Sequence, residues 1–441
     1  MNKNKILLTI MVLFSSFALS LNKSYAETLP LFANTAIAIE ASTGQVLYEK
    51  NAREKMYPAS TTKLWTAYLV IKNTEDLNKK ITVQSDLSWV EPSSMYLKVG
   101  ETFTVRELLE VLMLKSANDV AVLLAIETSG SVEEFAKLMN EEAKAIGCYD
   151  TNFINPNGLP DDNHYSTAYD MALMARESLK SDVLREIVKK EEIRLPANEF
   201  YPYERVYRNS NKFLTGEGQM PYNGSFVDYK YDIVDGLKTG YTSVAGRCLM
   251  TTAELNGTRV ITGVFNSKGD DVYTDSRVLI DYSLANYKTR SVVKNEQLEP
   301  ELQKEVPLSK EKKVQGYIKE DFNVVEENKV EKTRTMKEDY NYKVKLNSKI
   351  APPVIKDEVI GKVEVYNSNK EKVKELDVYA SDEVHAIFDS EQLILLTVGI
   401  SLITIISIRR IRRKRKINNG RENNIYKKAN NSQFKQIDEN E

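Results

Sequence analysis

The order of hydrophobic patterns predicts an α+β fold followed by a smaller β domain. Three observations carry this expectation. Strand-like alternation occurs early, at Thr35 to Glu40 and Gln45 to Glu49, and returns from Gly246 to Phe265. Helical patterns fill the stretch between, in a block rather than one by one with strands. After about Lys288, short β-rich pieces such as Lys362 to Tyr366 and Glu375 to Ala380 are separated by charged turns. Segregated blocks mark α+β, whereas regular β-α alternation marks a parallel sheet.

Taken in order, the chain starts with a secretory signal over residues 1–26. Lys3 and Lys5 precede an apolar run from Ile6 to Leu19, and Ser24-Tyr25-Ala26 offers small residues for cleavage. Ala41-Ser42-Thr43-Gly44 turns the first two strands into a hairpin. Pro58 suits a helix entry near Ser60, ahead of the apolar run Leu64 to Ile71. Thr104-Val105-Arg106-Glu107 is a capping box for a helix that stops near Lys115. Further helices are predicted over about Asp119 to Glu127, Val132 to Ile146 and Ser166 to Ser178. Asn256-Gly257, between the strand patterns Gly246 to Glu254 and Thr258 to Phe265, is a strong two-residue hairpin signal. A last helix fits Asp275 to Asn286.

Leu393 to Ile408 is sixteen residues without a charge, followed by seven basic residues in the eight positions Arg409 to Lys416. A spanning helix needs about 20 apolar residues, with about 17 as the lower limit, and Gln392 and Ile411 extend the run. The basic cluster predicts that this end faces the cytoplasm and the body of the protein lies outside. The expected organisation is therefore a signal peptide (1–26), a catalytic domain (27–288), a β domain (289–385), a linker (386–391), a transmembrane helix (392–408) and a basic, disordered cytoplasmic tail (409–441).

The 441 residues carry a net charge of −2, which gives no general affinity for nucleic acid. With two histidines in the chain, His164 and His385, a Ser-His-Asp triad is disfavoured and a His-rich metal site is not expected. No glycine-rich phosphate loop is present, and no cofactor is expected. Cys148 and Cys248 could pair in an exported protein or remain buried thiols, the commoner fate.

Three triplets hold the chemistry. Ser60 and Lys63, three residues apart on a helix, share a face. Serine needs a base to become a nucleophile, and a lysine serves when burial or neighbouring cations lower its pKa. Ser116-Ala117-Asn118 falls at the break between two helices, where a hydroxyl and an amide can reach a pocket. Lys238-Thr239-Gly240 enters the strands around the Asn256-Gly257 hairpin, combining a cation, a donor and room for a ligand. Each triplet alone is common; the ordered set S-x-x-K, S-x-N, K-T-G is the one recorded for penicillin-binding proteins and serine β-lactamases.

The chain resembles the D-alanyl-D-alanine carboxypeptidases, the low-molecular-mass penicillin-binding proteins. The resemblance spans about residues 30 to 385 and includes Ser116-Ala117-Asn118-Asp119, Met139-Asn140, Asn155-Pro156-Asn157-Gly158-Leu159, His164-Tyr165-Ser166 and Val234-Asp235-Gly236-Leu237-Lys238-Thr239-Gly240. It implies a β-lactamase/transpeptidase-like antiparallel sheet with helices and a helical subdomain. The segment from Ala351-Pro352-Pro353-Val354 through Ala380 is similar to that family's C-terminal β domain.

The resemblance further implies that Ser60 is acylated by the peptide carbonyl of a substrate ending in D-Ala-D-Ala, with Lys63 as the base. Ser116 and Asn118 line the site, and Ser116 relays a proton to the leaving amine. Lys238, Thr239 and Gly240 hold the substrate, with the carboxylate on Lys238 and Thr239, and the backbone N–H groups of Ser60 and Tyr241 form an oxyanion hole. The implied partners are peptidoglycan stem peptides and β-lactams as inhibitors; the uncharged run adds the membrane through the C-terminal helix, where relatives are often held by an amphipathic helix instead. One departure stands out. Many relatives carry an arginine in the loop after the hairpin, which helps bind the carboxylate. This chain has Asp270-Asp271-Val272-Tyr273-Thr274-Asp275 there, with Arg277 the nearest candidate. His164 belongs to a family segment and is expected to be structural.

Other readings compete: a catalytically dead wall-binding protein would be expected to have lost a motif, and a transpeptidase normally has a large N-terminal module, whereas Ser60 falls 34 residues after the expected cleavage point. A class A β-lactamase carries Glu-x-x-Leu-Asn between the second and third motifs, and no such segment lies between Asn118 and Lys238. A penicillin-sensing receptor places several spanning segments before its sensor domain, whereas here the expected anchor follows the domain.

Overall fold

The structure is a computed structural model describing residues 29–216, 218–328, 340–388 and 390–435. The expected signal peptide lies outside the described residues. Two compact units form: one runs up to Arg290 and takes in a return passage starting at Asn323, and the other begins at Ser291. The division between the units falls between Arg290 and Ser291.

The first unit is built on an antiparallel sheet. Strands β1 (Thr35–Glu40) and β2 (Val46–Lys50) form the N-terminal hairpin. After the 3₁₀ turn Ala59–Thr61 come helices α1 (Thr62–Lys72), α2 (Val105–Leu114), α3 (Asn118–Ser129), α4 (Val132–Ala145), α5 (Ala168–Ser178) and α6 (Asp182–Val188). Strands β3 (Val234–Thr242), β4 (Gly246–Leu255) and β5 (Thr258–Ser267) follow, then helix α7 (Asp271–Asn286). The sheet order is β2-β1-β5-β4-β3, which leaves β3 at an edge. Asn256 and Gly257 join β4 to β5 with φ of 53° and 79°, the double positive φ of a two-residue hairpin turn.

Both faces of the sheet are covered, as period-two alternation requires. Ile37, Ile39, Ile261 and Phe265 pack with the helical block, including Leu64, Trp65, Leu108 and Leu112. Ala36, Ala38, Val260 and Val264 pack instead with Val272, Leu279 and Ile280 of α7. The capping box that starts α2 is formed, with Thr104 and Glu107 each accepting from the other's backbone N–H. The sequence reading left residues 180–234 unassigned. They hold α6 and two short antiparallel pairs, Glu192–Leu195 with Arg205–Arg208 and Gln219–Tyr222 with Ser225–Asp228.

The second unit contains an antiparallel sheet in the order Gln303–Glu305, Lys313–Tyr317, Lys372–Ala380, Val359–Tyr366, Asn341–Leu346. Its core holds Leu298, Leu302, Val314, Val363, Val365 and Val378. The chain then forms a single helix, Ser390–Lys435. Among the described residues this is the helix long and apolar enough to cross a membrane. The tail expected to be disordered from 409 is helical through Lys435. The run Arg409–Lys416 is rich in arginine and lysine, good helix formers, and no proline follows to end the helix.

Candidate active site

Pro58, with φ of −75°, leads into the 3₁₀ turn Ala59–Thr61, and α1 continues from Thr62. Ser60 and Lys63 therefore lie one turn apart, with Lys63 Nζ 3.0 Å from Ser60 Oγ. The lysine is completely buried, and its nitrogen also donates to Asn118 Oδ1 and to the Asn157 carbonyl, each at 2.6 Å. Burial holds its pKa well below the ordinary lysine range, the nearby charge of Lys238 lowers it further, and Asp119 opposes both. A neutral amine is thereby accessible, and its lone pair can take the Ser60 proton.

The turn that carries Ser60 is held from below by Asn155-Pro156-Asn157-Gly158. Gly158 has φ of +80°, and its N–H donates to Asn155 Oδ1. Thr66 Oγ1 donates to the Pro156 carbonyl at 2.6 Å. His164 supports the same turn from another side. Ile154 N–H donates to Nδ1 at 3.2 Å, so Nε2 carries the ring proton and donates to Thr62 Oγ1 at 3.1 Å. Burial pushes this histidine down to about 4, and it stays neutral at physiological pH. Its two ring nitrogens are taken up by Ile154 and Thr62.

Ser116 and Asn118 sit in the short break between α2 and α3. Ser116 adopts φ of 64°, and its hydroxyl is buried with no protein partner. Asn118 spans the site: its carbonyl oxygen accepts from Lys63, and its amide donates to the Pro92 carbonyl. Next to it, the Asp119 carboxylate accepts from the backbone N–H groups of Met95 and Leu97 at 2.9 and 3.1 Å. The break is thus fastened to the loop over 92–97.

Lys238-Thr239-Gly240 lies within edge strand β3, not at a strand start. Gly240 faces the nucleophile turn: a Cβ there would sit 3.1 Å from Ser60 N and Thr61 N and 3.2 Å from Ala59 Cβ. The strand can pass this close because the residue has no side chain. Lys238 is buried, donates to the Thr239 carbonyl at 3.0 Å, and is lowered by burial to about 7. Thr239 Oγ1 lies 2.5 Å from Ser210 Oγ. Tyr241 is exposed at the far end of the motif. Ser60, Lys63 and Asn118 thus meet directly, Gly240 brings β3 against the Ser60 turn, and Ser116 sits two residues before Asn118 in the break.

Several contributors were not anticipated. Asn157 lies in a segment that the resemblance included but acts through its carbonyl, Pro92 likewise acts through its carbonyl, and Ser210 lies in a stretch without a motif. The suggestion of Arg277 is corrected. Its guanidinium stacks 3.9 Å from the Tyr231 ring and 5.0 Å from Tyr222, with Asp281 Oδ2 at 3.7 Å, and so is engaged on α7 and its neighbouring tyrosines. Cys148 and Cys248 are both buried free thiols.

A serine with a buried, desolvated lysine as its base, beside an open strand edge, defines a serine acyl-transfer enzyme of the penicillin-binding class. The family model for D-alanyl-D-alanine carboxypeptidase, peptidase S11, matches residues 22–269. D-alanyl-D-alanine carboxypeptidase DacF of Bacillus subtilis is 31% identical over 357 residues, covering 80% of this chain and 86% of that protein. DacA of Haemophilus influenzae is 30% identical over 296 residues, covering 64% and 70%. Among solved structures, penicillin-binding protein 5 of Haemophilus influenzae shares the fold, with a TM-score of 0.57 at 23% identity over 82% of this chain and 99% of that one. The peptidoglycan synthesis regulatory factor PBP3 of Streptococcus pneumoniae has a TM-score of 0.58 at 27% identity, covering 81% and 100%. The chain belongs to the D-alanyl-D-alanine carboxypeptidase family and is a serine-type hydrolase of that specificity.

Proposed function

We propose that catalysis runs through an acyl-enzyme on Ser60 formed from peptidoglycan stem peptides ending in D-Ala-D-Ala. The observation that carries this is the 3.0 Å contact between Ser60 Oγ and a buried Lys63 Nζ. Neutral Lys63 takes the serine proton as Oγ attacks the carbonyl of the penultimate D-alanine. The N–H groups of Ser60 and Tyr241 stabilise the developing oxyanion, a contribution typically worth 10²–10³ in rate per donor. The unpartnered Ser116 hydroxyl relays the proton to the leaving amine as the C–N bond breaks and D-alanine departs, and Asn118 keeps Lys63 aligned. Water then hydrolyses the ester and restores Ser60. Lys238 and Thr239 hold the substrate's terminal carboxylate, and Gly240 leaves room for the peptide along β3.

β-Lactams, whose strained amide presents the same kind of carbonyl, acylate Ser60 and are inhibitors. The helix Ser390–Lys435 anchors the protein in the cell membrane. Its basic segment after Ile408 lies in the cytoplasm and the catalytic unit outside. The test is mass spectrometry of the protein after incubation with penicillin and with a D-Ala-D-Ala peptide. The expected results are a penicilloyl adduct on Ser60 and release of D-alanine. An adduct without D-alanine release from any such peptide would favour a sensor that acylates without turnover.

A further inference from the structure

A carboxypeptidase substrate ends in a free carboxylate, and that charge needs a cation beside Thr239 on β3. The local cations are mostly committed. Lys238 is buried and its nitrogen donates to the backbone of its own strand. Burial lowers it to about 7, so near neutrality it is charged only part of the time. Lys212, in the segment that brings Ser210 to Thr239, is tied to Asp270 at 2.7 Å and lies over the Tyr229 ring at 4.5 Å. Arg277 is tied to Asp281 and stacked on tyrosines.

Arg247 is different. It stands on β4 directly opposite Tyr241, while its neighbour Leu249 stands opposite Thr239. Residues directly opposite in an antiparallel pair project from the same face, so Thr239, Tyr241 and Arg247 share one. A diagonal neighbour in such a pair is about 7–8 Å away, within reach of a long side chain. Arg247 is exposed, and its guanidinium rests 4.9 Å from the centroid of the Tyr241 ring. Among the described residues no carboxylate lies within ion-pair distance of it. Asp270 acts on it only at longer range, its charge already met by Lys212 and the Tyr229 hydroxyl.

The geometry points to Arg247 as a further residue that, from the strand next to β3, joins Lys238 and Thr239 in binding the substrate's terminal carboxylate and brings the permanent charge. Its planar fork matches a carboxylate with two parallel hydrogen bonds, which a lysine ammonium cannot reproduce. Tyr241 holds the guanidinium ready by stacking, so little side-chain freedom is lost on binding. Charge selection thus comes from the strand that backs the K-T-G motif, not from the loop after the hairpin. This inference rests on the acyl-transfer reading above.

The test compares the full-length protein in detergent with Arg247→Ala and Arg247→Lys, using one D-Ala-D-Ala peptide as free acid and as C-terminal amide. The wild type should prefer the free acid. In Arg247→Ala, kcat/KM for the free acid should fall on the order of 10- to 100-fold, mainly through KM, so that preference for the acid collapses. Arg247→Lys should recover part of it. An Arg247→Ala protein that melts like the wild type but keeps the full preference, or loses both substrates by one factor, would overturn the assignment. A wild type that cleaves neither peptide would instead sink the acyl-transfer reading itself.

Discussion

A Cβ placed on Gly158 would lie 1.8 Å from the carbonyl oxygen of Ala59, the residue before the nucleophile. The contact is with backbone, so no side chain can move to relieve it, and φ of +80° independently disfavours any other residue. The loop that supplies the Asn157 carbonyl to Lys63 thus presses directly on the turn that aims Ser60. Gly158→Ala should lower stability by about 1–3 kcal/mol from backbone strain alone and reduce acylation further by shifting the turn. Thermal melting and the rate of penicillin labelling check the two effects separately. A variant that melts and labels like the wild type would mean the turn is not seated on this loop.

Lys63→Ala removes the base and should slow Ser60 acylation by on the order of 10²–10⁴, the usual contribution of a positioned general base. His164 is not placed to substitute, because its ring nitrogens are engaged with Ile154 and Thr62 and burial leaves it a weak base. Stopped-flow labelling of folded variant with a fluorescent penicillin measures this. A near-normal rate would take Lys63 out of the mechanism.

The pH profile should have two limbs. Lys63 acts as a base only when neutral, so activity rises with pH through a pKa held well below that of an ordinary lysine. Lys238 aids substrate binding only when charged, and that charge is lost as pH rises through about 7 in the free enzyme. The profile of kcat/KM should therefore be bell-shaped, with an alkaline limb far below 10. Bound substrate carboxylate favours the charged lysine, so the limb for kcat should move to higher pH. A profile that is flat from pH 6 to 9 would contradict both assignments.

His164 also makes a stability prediction. Its folded pKa, about 4, lies below the ordinary value of 6.5. Between these values the unfolded chain binds the extra proton, so stability falls as pH drops from about 6.5 to about 4. Melting temperature measured across that window should show this slope. His164→Gln should flatten it, and an unchanged slope would place the acid sensitivity elsewhere.

If the helix Ser390–Lys435 spans the bilayer, the protein should stay in the pellet after alkaline carbonate washing. External protease on wall-stripped cells should remove the catalytic unit and leave a tag at Glu441 protected. Loss of the tag from sealed membranes would mean that the helix lies on the outer surface.

What was legible in the sequence follows from short-range geometry. The i, i+3 spacing puts Ser60 and Lys63 on one face wherever the helix sits, and the hydroxyl and carboxylate of Thr104 and Glu107 close their cap within one turn. Asn256-Gly257 dictates a tight hairpin because both residues tolerate positive φ. The sixteen uncharged residues ahead of a basic cluster mark the apolar helix by composition alone.

Tertiary structure decided what depends on residues far apart in the chain. Lys63 receives the Asn157 carbonyl from 94 positions away, and Thr239 meets Ser210 from 29. Whether Lys63 and Lys238 serve as a weak base and a weakly held cation depends on their complete burial, which only the packing of helices on the sheet creates. The proposed choice of arginine has the same origin. Arg277 lies closest in sequence to the loop where a cation was expected, yet the tyrosines beside α7 capture it. Arg247 reaches the face of Thr239 because strand register, a property of two paired segments, sets it opposite Tyr241.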